Sequence, residues 1–258
     1  DSESVASAFA HHEYHECQPP VPGSLDAASR ASASGFPDYP VAIGPQTRQG
    51  PVVLSEDQPE IAPAPPRWRL FTAVVPPEPV RAVIADTLAR LRSGAAFTGA
   101  RLAWVQPAGF HITLVFLGDT PPAHVPAVAD ALRRVAASHA PFKLAISGVG
   151  IFPSPRNPRA ISMNIVKDVE ALQQVYRDLA PAMRRLGFSI EDRAYTPHLT
   201  LARIKDRAGL AALRDLVRSH RLIRSDSFEV SSVILYRSQL KPTGAEYEVL
   251  VDAPFKRQ

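Results

Sequence analysis

From Arg67 onward the chain alternates between extended and helical patterns of hydrophobic residues. Residues 69–75 predict a strand, and residues 78–92 carry an apolar stripe with helical spacing that ends at Ser93-Gly94. The other predicted strands are 102–105, 110–117, 142–151, 160–166, 198–204, 228–236 and 246–251, and the other predicted helices are 122–138, 169–186 and 207–219. Strand and helix thus alternate twice, which predicts an α+β fold.

Residues 1–66 lack any sustained period and hold 11 of the 26 prolines. Such a segment buries too little apolar surface to order itself, so we expect an acidic, Pro/Ala-rich, disordered extension before a folded domain at 67–258. The extension contains His11-His12-x-x-His15-x-Cys17, which has the residue types of a metal site. No second ligand cluster with zinc spacing follows it, so a solvated tail is the favoured interpretation.

Charge divides at the same boundary. Residues 1–66 carry 2 basic and 9 acidic side chains, and residues 67–258 carry 27 basic and 16 acidic ones, so a net charge of −7 precedes one of +11. A basic domain favours an anionic partner, with nucleic acid or a phosphorylated small molecule first. A basic domain without such a partner stays an open alternative.

Cysteine content and hydropathy indicate the environment of the chain. Cys17 is the only cysteine, so no disulfide forms within the chain and a reducing compartment, the cytoplasm, is expected. No apolar run reaches the roughly 18 residues that span a bilayer, so we expect no membrane partner. We also expect a monomer.

One short pattern occurs twice, as His111-Ile112-Thr113-Leu114 and, 87 residues later, as His198-Leu199-Thr200-Leu201. With 8 histidines in the chain, chance predicts about 0.3 His-x-Thr triplets. In a strand, residues i and i+2 share a face, so each His stands beside its Thr while the apolar residues point into a core. A single copy would more often be a structural His with a Thr of high β propensity, but two copies indicate one shared pocket.

Two imidazoles and two hydroxyls suit acid–base chemistry on a phosphate. Imidazole titrates near neutral pH and can give or take a proton, while hydroxyls donate hydrogen bonds to an anion. Phosphodiester hydrolysis needs one proton removed from water and one delivered to the leaving oxygen, and a strained cyclic phosphate is the easiest such substrate. No metal-ligand cluster or Gly-rich loop accompanies the pattern, so we expect neither metal nor cofactor.

The chain resembles the RNA 2′,3′-cyclic phosphodiesterase family, also called 2′-5′ RNA ligases, among the two-histidine (2H) phosphoesterases. The resemblance covers about residues 67–255. It is carried first by the two four-residue patterns His111–Leu114 and His198–Leu201, which we call the tetrads. The other matching residues are Arg69-Leu70-Phe71-Thr72-Ala73, Trp104-Val105-x-Pro107, Phe110, Val115-Phe116-Leu117-Gly118, Pro197, Ala202-Arg203, Leu235-Tyr236-Arg237-Ser238-x-Leu240 and Gly244-x-x-Tyr247. It implies a bilobal, pseudo-symmetric fold in which two antiparallel sheets line a central cleft, with helices outside.

The resemblance also implies residue roles: His111 is the proton donor, His198 the proton acceptor, and Thr113 and Thr200 hold the phosphate. Arg203 matches a basic residue that the family often has after the second tetrad. Strand alternation puts Arg203 on the face opposite His198, so a phosphate contact would need a strand end or twist. Ala108-Gly109 departs from the acidic or amide pair that the family usually has before the first tetrad.

The reaction so implied is metal- and ATP-independent opening of a 2′,3′-cyclic phosphate, on RNA or a nucleotide, to a 2′-phosphate, with reversible 2′-5′ ligation as a side activity. One alternative is a phosphodiesterase for another cyclic or 2′-5′-linked nucleotide. The other is a non-catalytic RNA-binding module that keeps the cleft. Phe71 and Trp104 are candidates for stacking on a base, although aromatic residues in such strands more often belong to a core.

Overall fold

The computed structural model describes residues 66–241 and 244–257. The predicted extension therefore lies outside the described residues apart from Pro66, as does the pattern from His11 to Cys17. The strands are β1 (Trp68–Val74), β2 (Leu102–Trp104), β3 (Ile112–Thr120), β4 (Phe142–Pro153), β5 (Pro158–Val166), β6 (His198–Ile204), β7 (Phe228–Val230), β8 (Ser232–Lys241) and β9 (Gly244–Pro254). The helices are α1 (Glu78–Ala95), α2 (Val125–Ala136), α3 (Val169–Arg185) and α4 (Leu210–Ser219).

Helices form where the sequence supplies both an apolar stripe and suitable ends. In α1, the buried residues Val80, Ile84, Leu88 and Leu91 recur every three or four positions. Pro79 lies in the first turn of α1, Glu78 complements the positive end of the helix dipole, and Arg92 complements the negative end. Helix α2 packs against β8 and β9, α3 against β3 and α4 against β4, while α1 packs against α4.

The strands follow the order β7-β4-β5-β6-β3-β1-β8-β9, with β2 paired to β6 and every pairing antiparallel. The halves β7-β4-β5-β6 and β3-β1-β8-β9 meet at the β3–β6 seam, whose register consists of the single pair Ile112 and Leu199. The sheet curls into a half-barrel, which confirms the predicted α+β 2H phosphoesterase fold. The tetrads thus lie on neighbouring strands at the seam.

One predicted strand, 228–236, is wrong as a single element. It divides at Ser231 into β7, which pairs with β4, and β8, which pairs with β1 and β9. At Ser231 the chain passes from one half of the sheet to the other. The apolar alternation continues through this point, so the sequence pattern does not show that the pairing partners change.

Candidate active site

The β3–β6 register sets the two tetrads crosswise. Because Ile112 is opposite Leu199 in an antiparallel pair, His111 lies opposite Thr200 and Thr113 lies opposite His198. Ile112 and Leu199 are both fully buried, so they point into the core under the helices. The His and Thr side chains point to the other face, where directly opposed Cβ atoms are about 5 Å apart. The fold therefore gathers all four predicted residues into one small patch.

Each histidine is held in the same way by its own backbone. Nδ1 of His111 donates to the carbonyl oxygen of Gly109 at 2.7 Å, and Nδ1 of His198 donates to that of Thr196 at 2.9 Å. A carbonyl oxygen only accepts, so Nδ1 carries the hydrogen in both rings. Nε2 is then the atom of each ring that is left to exchange a proton with a substrate.

Arg203 lies on the tetrad face because β6 contains a β-bulge. Ser162 of β5 is opposite Thr200, whereas Ile161 is opposite Ala202, so Leu201 is an extra residue. Leu201 and Ala202 are both fully buried, and the alternation is thereby reset. The expectation that Arg203 points away from His198 is wrong for this reason.

Strand β3 has a matching bulge. Thr72 of β1 is opposite Val115 and Ala73 is opposite Thr113, so Leu114 is the extra residue. The Oγ1 of Thr72 accepts a hydrogen bond from the backbone N–H of Val115 at 3.1 Å. Phe116 therefore occupies the same position after the first tetrad as Arg203 does after the second.

Aromatic rings support both histidines. The ring centroid of Phe71 lies 4.8 Å from that of His111, and the ring of Tyr247 meets His111 edge-on at 5.2 Å. On the other half, Phe152 stacks on His198 at 3.6 Å between centroids. Phe71 is only 3% exposed, so it supports the imidazole from beneath and offers no free face to a base.

The sequence pattern of the 2′-5′ RNA ligase superfamily matches residues 76–242. The chain belongs to the 2′-5′ RNA ligase superfamily. The RNA 2′,3′-cyclic phosphodiesterase of Aeropyrum pernix is 34% identical over 166 residues, which is 64% of this chain and 93% of that protein. The enzyme of the same name from Geobacillus stearothermophilus is 37% identical over 151 residues, which is 58% of this chain and 47% of that protein.

Solved structures match the fold as well. The crystal structure of TT0787 of Thermus thermophilus is 29% identical with a TM-score of 0.59, covering 74% of this chain and 99% of that one. E. coli LigT complexed with 3′-AMP is 22% identical with a TM-score of 0.57, with the same coverage, and this match concerns the fold alone.

Burial controls the protonation of the histidines in this superfamily member. It lowers the pKa of His111 from 6.5 to about 4; the hydrogen bond to Gly109 opposes the effect, and the charges of Arg203 and His198 add to it. Burial also lowers the pKa of His198, against the hydrogen bond to Thr196. Both rings are therefore mostly neutral at pH 7 before an anion binds.

Two positions near the tetrads were not predicted to matter. The hydroxyl of Tyr195 donates to the carbonyl oxygen of Thr113 at 2.8 Å, and so ties the loop before the second tetrad to the first. A Cβ added at Gly109 would lie 2.8 Å from Cε2 of Tyr247, so a larger residue there would push the ring that packs against His111. Tyr195 directly precedes Thr196-Pro197-His198, and that proximity was the only signal available in the sequence.

Within the described ranges, no group of three or more His, Cys, Asp or Glu side chains could hold a metal ion. In the same ranges, no helix is long and apolar enough to cross a membrane.

Proposed function

We propose that this protein opens 2′,3′-cyclic phosphates at the ends of RNA, or on nucleotides, to 2′-phosphates. The crosswise register of the two tetrads carries the proposal, because it sets two imidazoles and two hydroxyls opposite one another on one face of the sheet. The name RNA 2′,3′-cyclic phosphodiesterase, shared by relatives at 34% and 37% identity, supports it.

In the proposed reaction, Nε2 of His198 takes a proton from a water molecule whose oxygen attacks phosphorus. The bond between phosphorus and O3′ breaks, and O3′ takes a proton from Nε2 of His111, which leaves a 2′-phosphate and a 3′-hydroxyl. Thr113, Thr200 and the guanidinium of Arg203 hold the phosphate oxygens. Exchange of protons with solvent then restores both rings.

The lowered pKa of His111 fits the donor role, since an imidazolium with a low pKa is a strong acid. His111 must first be protonated, and the negative charge of a bound phosphate diester favours the charged ring and raises its pKa. Ligation uses the same groups with another nucleophile: a 5′-hydroxyl takes the place of water, gives its proton to His198 and attacks phosphorus, the P–O3′ bond breaks as before, and a 2′-5′ linkage forms. We propose such ligation as a side activity, by a monomer in the cytoplasm.

Hydrolysis of a 2′,3′-cyclic nucleotide by the parent, His111→Ala and His198→Ala tests the proposal. Each variant should lose at least about a hundredfold in kcat, the effect of removing a general acid or base. Absence of turnover by the parent would contradict the function and favour a module that only binds RNA.

A substrate with sulfur in place of the bridging O3′ tests the two roles, because a thiolate leaves without a proton. His111→Ala should recover most of its lost rate on this analogue, whereas His198→Ala should not. Recovery by His198→Ala alone would reverse the assignment.

A further inference from the structure

A row of aromatic and apolar side chains crosses four strands on the face that carries His111. Phe116 of β3 is opposite Phe71 of β1, Phe71 is opposite Tyr236 of β8, and Tyr236 is opposite Val249 of β9. Directly opposed residues share a face. With strands about 4.8 Å apart, this nucleoside row (Phe116, Phe71, Tyr236, Val249) is about 14 Å long.

The row passes beside the proposed reaction centre at its second residue, Phe71. Phe71 touches the ring of His111 and stacks on Tyr236 with 5.2 Å between centroids, and the ring of Phe116 lies 6.0 Å from that of Phe71. Phe71 is buried within the row, while its two ends are open: Phe116 is 58% exposed and Val249 is 54% exposed. A ligand held at His111 can therefore continue along the row.

Exposed apolar side chains concentrate on this face. Leu240 is four residues after Tyr236 in β8, so it shares the face, and it is 73% exposed. Phe116, Val249 and Leu240 are three of the six large apolar side chains that are exposed in the described residues. Apolar residues grouped in this way on one surface mark a binding site more often than scattered ones do.

A positive charge accompanies the row. Arg69 precedes Phe71 by two residues in β1, so it shares the face of the row, and it is exposed. Its cross-strand neighbour is Asp119, but Arg69 forms no ion pair among the described residues. The charges of Arg203 and Arg69 both act on the phenol of Tyr247, which packs against His111. Exposed aromatic rings beside guanidinium groups are the features that bind single-stranded RNA.

We propose that the exposed ends of the nucleoside row, with Arg69, bind the nucleosides that precede the terminal nucleotide of an RNA ending in a 2′,3′-cyclic phosphate, so that an RNA end is a better substrate than a mononucleotide. Phe116 stacks on a base and Arg69 contacts the backbone. The proposal rests on the proposed function, because it takes the cyclic phosphate to lie between the tetrads.

The test compares kcat/KM for a 2′,3′-cyclic mononucleotide with kcat/KM for a short oligoribonucleotide ending in the same cyclic nucleotide. Phe116→Ala should lower the value for the oligoribonucleotide about tenfold more than that for the mononucleotide, as expected for losing one stacked base. Arg69→Ala should also weaken the salt dependence of oligoribonucleotide binding. Phe97→Ala and Arg92→Ala are matched controls on exposed residues at the end of α1, and should leave both values unchanged.

If Phe116→Ala lowers kcat/KM equally for both substrates, or does not lower it for the oligoribonucleotide, the proposal that the nucleoside row binds RNA is wrong. If the parent turns over neither substrate, the proposed function fails. Fluorescence anisotropy with a labelled oligoribonucleotide ending in a 2′-phosphate then tests the row separately: weaker binding by Phe116→Ala than by Phe97→Ala supports it, and equal binding overturns it.

Discussion

Burial of His111 should make the stability of the fold depend on pH. The pKa of His111 is about 4 in the folded protein against 6.5 for an unburied ring, so the unfolded chain takes up the proton first as the pH falls. The stabilisation is complete above pH 6.5 and is lost as the pH falls toward 4. A tenfold change in proton affinity corresponds to about 1.4 kcal/mol. The free energy of unfolding should therefore fall by about 2.5 kcal/mol on account of His111 when the pH is lowered from 7 to 4.5.

The assay is urea unfolding of the full chain at pH 7 and pH 4.5, in the parent and in His111→Asn. The asparagine amide can donate to Gly109 in place of Nδ1 but does not titrate. Carboxylates titrate equally in both proteins, so the pH-dependent loss in the parent should exceed that in the variant by about 2.5 kcal/mol. His124→Asn, at an exposed histidine outside the site, should behave like the parent. Equal pH dependence of parent and His111→Asn would refute the argument that burial governs this ring.

Three further outcomes follow from the site. Tyr195→Phe should lower kcat about tenfold with little change in KM, because the loop before the second tetrad loses its hydrogen bond to the first; an unchanged kcat would count against this tie. Gly109→Ala should lower kcat and Tm through its contact with Tyr247, and adding Tyr247→Ala should restore part of the Tm; strictly additive losses would exclude the clash. The profile of kcat/KM against pH should be bell-shaped with its maximum below pH 6.5, since both histidine pKa values are lowered, and a maximum near pH 8 would contradict it.

The sequence allowed the convergence of the tetrads to be predicted because alternation in a strand fixes which side chains share a face. It did not reveal that β3 and β6 are neighbours, since a single chain carries no direct record of strand pairing. The face of Arg203 was predicted wrongly because a bulge resets alternation.

A usable signal for that bulge was present in the sequence. The last residue of each tetrad is apolar and is followed by a second apolar residue, as Leu114-Val115 and as Leu201-Ala202. Strict alternation on a half-exposed strand would place a polar residue second. Both pairs are buried at a bulge. Doubled apolar residues at the same position of a repeated pattern predict a matched pair of bulges, and hence that Phe116 and Arg203 return to the tetrad face.

We propose above all that the two tetrads form one site that breaks the bond between phosphorus and O3′ without a metal ion. The most direct test follows a 2′,3′-cyclic nucleotide by phosphorus NMR with excess chelator, using the parent, His111→Ala and His198→Ala. The parent should form only the 2′-phosphate, and both variants should form it at least about a hundredfold more slowly. A 3′-phosphate, a mixture of both products, or turnover indifferent to either histidine would contradict it.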